Sequence, residues 1–413
     1  MGGTPVARQD KPAGTPDQRE VNRQQVVAVI RGAGQIARID IARETGVSPA
    51  TVTAITSELI SAGLVEEVAP EEDRETSGRG RPRVALRVRG AAHLVAGVKV
   101  SFRTLSLVLI DFDGTTLAEH EATLSEPQVS PDALIAEIRS ALDEITAKIG
   151  RTTADISGLG VGLPGTIDAL EGFVHWSPSI TERNICLRDR LEKALPMAVF
   201  LDNDANLVAK AEQLFGEARG VSDFIVITIE QGVGMGIVID GKVYRGTRGC
   251  GAEFGHTKVH LDGALCRCGQ RGCLEAYVSD YALLREADVS LPSNANASRS
   301  ERLEALFVAA REGNHTAHTI LNRASRMFAL GLANIVNIFD PKLIILSGER
   351  MSRDFLYSDE VIAAMRDEVV QVDAPPPEVR IHKWGDSMWA KGAAAYAMEG
   401  VTALAVRRLA IHA

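Results

Sequence analysis

Three of the five cysteines, Cys266, Cys268 and Cys273, lie close together, and His256 precedes the first of them by ten residues. Thiolates and a neutral imidazole suit four-coordinate Zn²⁺, and Gly263, Gly269 and Gly272 let a short loop fold tightly round an ion. The competing reading is three unconnected thiols in a reduced protein. A Cys-x-Cys-x4-Cys cluster with a nearby His is dense for a chain otherwise poor in cysteine, which favours the metal. A Cys3His set leaves no open coordination position, so a zinc there is expected to be structural. The carboxylates of Glu253 and Glu275 bracket the cluster and are its more informative groups.

The elements that must position these groups are bounded by length and composition. A chain of 413 residues is long enough for two or three domains. An apolar fraction of 45% and a charged fraction of 24% are those of a soluble globular protein. No run of about 18 apolar residues occurs, so no transmembrane helix is expected. The N-terminal stretch MGGTPVARQDKPAGTPDQ lacks the apolar core of a signal peptide and reads as a disordered tail over residues 1–18. The cysteine usage forms no disulfide framework, and a cytoplasmic location follows. Residues 1–90 carry 13 Lys/Arg against 12 Asp/Glu, and the remainder 32 against 42. An acidic total argues against the whole protein coating nucleic acid but leaves room for an N-terminal module that does.

Residues 19–90 have the pattern of such a module. Val21, Val26, Val27 and Ile30 fall at helical spacing before Gly32 and Gly34, and a second short helix over 38–46 stops at Gly46. Ser48 is placed to cap a third helix with Pro49 at its first position. Val52, Ile55, Leu59 and Ile60 form its buried face, with Thr51, Thr53, Thr56 and Ser57 on the other side. This is a helix-turn-helix order, whose second helix enters the major groove. Two wing strands follow, Leu64–Val68 and the stretch RPRVALRV. Five arginines and no acid occupy Ser77 to Arg89, and Arg79-Gly80-Arg81-Pro82-Arg83 has a shape that can lie in a narrow minor groove. The candidate DNA contacts are therefore Ser48, Thr51, Thr53, Thr56, Arg79, Arg81 and Arg83.

From His93 the pattern becomes β-rich: strands with a hairpin at Asp113-Gly114, a helix over 131–149, the strand ISGLGVGLPG, then a strand running into a helix at Asn203–Asn206. A second β-β-α…β series follows, so two similar α/β halves are expected to face a cleft. Residues 281–300 read as polar, with LPSNANASRS a loop, 301–312 and 315–338 as helices, KLIILSG as a strand, and 387–409 as a last helix. The segments GLGVGLPGTID, LDNDANLVAKAE, GVGMGIVIDGKVYRG, GAEFGH, CRCGQRGCLE and ANIVNIFDPKLIILSG carry a resemblance. In this order they resemble the ROK family of sugar kinases and repressors, of actin/hexokinase-like fold, over about residues 92 to 395. With the N-terminal module the whole chain is similar to the glucose, N-acetylglucosamine and xylose repressors of that family.

The resemblance implies which residues meet a sugar: Asp204, the base in the kinases and here a relic, with Asn203, Glu253, His256 and Glu275, and Gly165 giving close backbone approach. Neighbouring hydroxyls suit carboxylates, because each offers one donor. His256 has two jobs in this reading, one ring nitrogen on zinc and the other toward a sugar hydroxyl. The family's phosphate turn, Asp-x-Gly-Gly-Thr, falls on Lys99-Val100-Ser101-Phe102-Arg103, which has no Asp and no glycine. Side chains there block close backbone approach, so kinase activity is expected to be lost. The turn Gly232–Gly236 persists. Ser179 stands where the family often has Asn, which leaves the ligand's identity open. Arg183, Arg245 and Arg248 read as surface arginines.

The expected domains are a tail at 1–18, a winged helix-turn-helix at 19–90 and a ROK body at 91–413. Its first lobe covers about 91–205 plus the last helix, its second about 206–386. The expected protein is a cytoplasmic, sugar-responsive DNA-binding repressor, homodimeric or tetrameric, with structural Zn²⁺, a duplex DNA operator and a sugar or sugar-phosphate effector. The rivals are an active sugar kinase with a DNA-binding appendage and a repressor governed by a partner protein.

Overall fold

The computed structural model describes residues 18–68, 84–290, 297–347, 356, 358–370, 375–383 and 387–411. Residues 1–17 of the expected tail and the turn carrying Arg79, Arg81 and Arg83 lie outside the described residues. The chain divides into two units, one of Met1–Ala92 with Glu399–Ala413 and one of His93–Met398.

In the smaller unit the order is α1 (Gln18–Ala33), β1 (Ile36–Ala37), α2 (Arg38–Thr45), α3 (Pro49–Ser61), β2 (Val65–Val68) and β3 (Ala85–Val88). Gly46, in the left-handed region at φ 68°, ends α2. Ser48 accepts from the Thr51 amide and caps α3, with Pro49 following it. Val26, Val27, Ile30, Ile41, Val52, Ile55 and Leu59 are all buried and form the helical core. The sheet order is β1-β3-β2. Two expectations shift here. Val21 is 40% exposed, and Arg23 takes the inner position at 1%. The Arg23 guanidinium is satisfied by Glu58 of α3, with Nη2–Oε2 at 2.6 Å, and Arg19 pairs with the same carboxylate.

The larger unit begins with β4 (Leu94–Val100), β5 (Thr104–Asp111), β6 (Thr116–Thr123), α4 (Pro131–Ala147), β7 (Ile156–Leu163), β8 (Thr166–Asp168), β9 (Phe173–Trp176), β10 (Ile185–Cys186), α5 (Leu187–Ala194), β11 (Ala198–Asn203) and α6 (Asp204–Phe215). It continues with β12 (Phe224–Ile229), β13 (Val233–Ile239), β14 (Lys242–Tyr244), α7 (Glu275–Val278), α8 (Asp280–Ser290), α9 (Arg299–Arg311), α10 (His315–Phe339), β15 (Leu343–Ser347), α11 (Asp359–Asp367), β16 (Glu378–His382) and α12 (Met388–Ile411).

The two main sheets run β11-β7-β4-β5-β6 and β16-β15-β12-β13-β14. Each is an antiparallel meander extended by two parallel strands, so the halves repeat one topology. Parallel strands need crossover connections, which α4 and α5 supply in the first half and α10 and α11 in the second. One core joins α4 and α5 to the first sheet through Val98, Leu107, Leu142, Val161 and Leu201. Another joins α10 to the second through Ile227, Phe328, Leu332 and Leu346. A third brings Val208 and Ala211 of α6 together with Val226, Ile345, Met388 and Trp389. The approach of α12 to the first sheet requires glycine. A Cβ at Gly97 would stand 2.0 Å from the Ala390 carbonyl oxygen, and one at Gly160 1.8 Å from that of Ala393.

The stretch 281–300, read only as polar ahead of its loop, begins as α8, over Asp280–Ser290. Leu283, Leu284 and Ala287 give it a buried face that surrounding charged residues obscure in the sequence. The residues of α12 are shared between the units, Glu399 onward belonging to the smaller one. There Arg407 Nε meets Glu20 at 2.6 Å and Arg31 donates to Thr402 at 3.3 Å, so the later turns of α12 pack within the smaller unit.

Candidate functional site

The parallel strands β4, β7 and β11 bring their carboxyl ends together, with Lys99 opposite Gly162 and Asp202 opposite Gly162 on its other side. Ligands in open α/β sheets bind beyond such ends. Asn203 caps α6, its Oδ1 accepting from the Ala205 amide at 2.9 Å and its Nδ2 donating to the Gly165 carbonyl at 2.9 Å. Gly165 is at φ 114°, where a Cβ would stand 2.3 Å from the Trp176 carbonyl oxygen. The first helical residue is Asp204. Burial raises its carboxyl pKa, and the Lys99 charge and the Ala205 amide oppose that rise. Arg245, read as a surface arginine, instead holds the fully buried Asp202 through Nε at 2.8 Å and Nη2 at 2.5 Å. Ser179 is buried and donates to the Ser101 carbonyl at 3.5 Å.

The second half supplies the remaining carboxylates. The turn from β12 to β13 packs on α6: a Cβ at Gly236 would be 2.6 Å from the Ala205 carbonyl oxygen. Glu275 Oε2 accepts from the Val233 amide of that turn at 3.3 Å. Ala252 has φ 67°, an uncommon conformation for a residue with a side chain, immediately before Glu253. Burial raises the Glu253 pKa, the Asp204 and Glu275 charges raise it further, and His256 opposes them. Asp204, Glu253, His256 and Glu275, drawn from three separate stretches of chain, thus act on one another, with Asn203 and Gly165 joined at the same strand ends. Carboxylates around such a place can accept hydrogen bonds from several hydroxyls of one ligand.

The ligand atoms of His256, Cys266, Cys268 and Cys273 all lie within 4.8 Å of one another. Tetrahedral Zn²⁺ with bonds of about 2.3 Å to sulfur separates two thiolates by about 3.8 Å. Cys268 and Cys273 have their Sγ atoms 3.7 Å apart, and Cys266 Sγ is 3.7 Å from His256 Nδ1. The donor set and spacing fit a closed four-coordinate ion. Burial raises the Cys266 thiol, but bonds from His256 and Tyr281 outweigh it and bring the pKa down to about 7, which favours the thiolate a metal needs. Nε2 of His256 faces Glu253 Oε2 at 3.9 Å, so one ring nitrogen turns to the sulfurs and the other to the carboxylates. Sequence reading missed Tyr281, whose hydroxyl is 3.5 Å from Cys266 Sγ and 3.4 Å from Glu275 Oε1. It also missed Lys258, with Nζ 2.9 Å from Cys273 Sγ. Tyr281 lies in a stretch read only as polar, so no periodicity pointed to it.

In the smaller unit Ser48 and Thr53 are exposed and Thr51 is partly so at the start of α3. Thr56 does not belong with them. It is fully buried, donating to the Thr53 carbonyl and accepting from Arg38 Nε at 3.1 Å, because its position falls on the same helical face as Val52 and Leu59. Ile60, read as buried, is only partly so.

A winged helix-turn-helix unit on a two-lobed actin/hexokinase-like body defines a sugar-kinase-like protein that carries a DNA-binding head. The ROK family model matches residues 95–399 and the model for winged helix-turn-helix DNA-binding matches residues 20–66. The chain belongs to the ROK family. It is 29% identical over 342 residues to the xylose repressor of Caldicellulosiruptor bescii, covering 80% of this chain and 84% of that one. It is also similar to a ROK family transcriptional regulator homologous to the Escherichia coli Mlc protein, with TM-score 0.78 and 26% identity over 95% of this chain and 98% of that one. A ROK glucokinase from Streptomyces griseus, solved with glucose and AMPPNP, matches with TM-score 0.62 and 29% identity over 74% of this chain and 99% of that one.

Proposed function

We propose that this protein is a sugar-responsive, DNA-binding transcriptional repressor of carbohydrate uptake or catabolism genes, and that it has no sugar kinase activity. The observation that carries the reading is the state of the site. Asp204, Glu253, His256 and Glu275, the candidate hydroxyl binders, act on one another, while Lys99 stands in the slot of the family's phosphate-turn acid and Ser101 and Phe102 stand in those of its glycines. A sugar can be held there by carboxylates, but a nucleotide lacks the backbone amides that would cradle its phosphates.

His256, Cys266, Cys268 and Cys273 hold a structural Zn²⁺ in this reading. The ion supplies no step; it fixes the ring of His256 so that Nε2 is presented beside Glu253. Asn203 and Gly165 set the backbone against which the sugar lies. The start of α3, through Ser48, Thr51 and Thr53, enters the major groove, and Arg79, Arg81 and Arg83 accompany it in the minor groove. A cytoplasmic homodimer, or a tetramer built from it, would place two such heads on a pseudo-palindromic duplex site. Sugar binding must favour one arrangement of the lobes over another to change operator affinity.

The test is a thermal-shift screen of sugars and sugar phosphates on the intact protein, run beside an ATP-consumption assay with the same panel. Stabilisation by a sugar without ATP turnover is expected. Turnover that disappears in Asp204→Asn would sink the repressor-only reading. The intact Gly232–Gly236 turn is the feature that favours the kinase alternative.

A further inference from the structure

A lysine in the middle of the old phosphate turn needs an explanation. Lys99 is only 6% exposed. Burying an unpaired ammonium costs several kcal/mol, so such a group is paired or absent. Its partners are specific. Nζ lies 3.6 Å from Glu230 Oε2, just past β12. It also stands 3.5 Å over the centre of the Trp389 ring in α12, a cation–π contact in a desolvated place. Lys99 belongs to the first lobe and Glu230 to the second, so the ion pair crosses between them. Phe102, three residues along the same turn, lies under the Arg299 guanidinium of α9 at 5.8 Å, a second bridge between the lobes. Lys99 also sits one strand from Gly162 and two from Asp202 in register, beside the start of α6. Its charge favours the Asp204 carboxylate against the burial that disfavours it.

We propose that Lys99 is the positioning residue of the ligand site: it clasps the two lobes through Glu230 and holds Asp204 in place as the acceptor for a ligand hydroxyl. The turn that would cradle phosphate in a kinase has become a cross-lobe latch. The ammonium supplies from within the chain a positive charge between the lobes. The role in holding Asp204 rests on the sugar-binding reading above; the clasp itself does not.

Two arms test this on the full chain. The first needs no ligand. Hydrogen exchange is measured in Lys99→Met, which keeps the stem over Trp389, in Glu230→Gln and in the double variant. Each single variant should speed exchange around residues 99–103 and 228–233 by about tenfold, and the double no further, because both remove one interaction. Unchanged exchange, or additive effects, overturns the clasp. The second arm is calorimetry with D-glucose, D-xylose and N-acetyl-D-glucosamine. For a sugar that wild type binds, Lys99→Met should weaken binding by about tenfold, the scale of one charge-assisted contact. Its melting temperature should fall somewhat, since removing one member of a buried ion pair leaves the other's charge uncompensated. A lower melting temperature with unchanged affinity would make Lys99 merely structural and overturn the positioning role. Faster exchange in a protein that binds none of the three sugars would fault the sugar reading and leave the clasp standing.

Discussion

At the scale of single residues, the candidate site places carboxyl groups where burial opposes their charge. Burial raises the pKa of Asp204 above its unfolded value. The folded state therefore binds that proton more tightly than the unfolded one. The group costs stability once pH rises above its unfolded pKa, and the cost disappears below that value. Replacing Asp204 by Asn should raise the melting temperature of the ligand-free protein at neutral pH, with the gain fading in acid, as pH scans of both proteins would reveal. The same change should weaken sugar binding by at least tenfold, about 1.5–3 kcal/mol for hydrogen bonds to a charged acceptor, measurable by calorimetry. Cys273 is fully buried, its Sγ within 4.8 Å of the donor atoms of His256, Cys266 and Cys268. Cys273→Ser should reduce bound zinc well below one per chain by elemental analysis. It should also lower the melting temperature by about 5 °C, equivalent to about 3 kcal/mol at this size of body. Legibility differed among these residues. The Cys3His cluster was evident from spacing because metal ligands on a tight loop must be close in sequence. Tyr281 and Lys258 were not, because the fold carries them to the sulfurs.

At the scale of elements, glycine and capping residues decide how closely the pieces approach. Gly160 lies against the backbone of α12, and a methyl group there has no flexible side chain to push aside. Gly160→Ala should destabilise the body by about 3 kcal/mol or more in denaturant melts, as overpacking against fixed backbone does. Ser48→Ala should cost about 1 kcal/mol of the smaller unit's stability, read from hydrogen exchange in α3, because the Thr51 amide loses its acceptor. Most strands and helices of the body were readable from hydrophobic period and turn residues. The helix α8 was not, because its buried face of Leu283, Leu284 and Ala287 is short and set among charges. Thr56 failed for a related reason. A threonine on an otherwise apolar face reads as polar and outward, yet its hydroxyl bonds the preceding turn and Arg38 and stays inside.

At the scale of the molecule, the smaller compact unit is discontinuous in sequence. It draws on residues up to Ala92 and again from Glu399 to the end. The expected boundary at residue 90 left the last helix wholly to the body. Val401 and Val406 are buried, and Arg407 pairs with Glu20. Val406→Asp should therefore lower operator affinity in fluorescence anisotropy while sugar-induced stabilisation and zinc content stay as in wild type. A loss of zinc or sugar response instead would place the damage in the body. The repeated sheet order of the two halves was expected from the repeated strand pattern.

Local chemistry was legible in the amino-acid order by itself: the helix-turn-helix caps, the alternation of the strands, the thiol cluster, and the absence of Asp and glycine from Lys99–Arg103. Each depends on neighbours a few residues apart, and such interactions are set by spacing and side-chain type. What Lys99 does instead was decided only by the tertiary structure. Its partners Glu230 and Trp389 lie far along the chain, as do the partners of Asp202 and Arg23. A buried charge is stable only where the fold delivers its counter-charge, and no period in the sequence records that meeting.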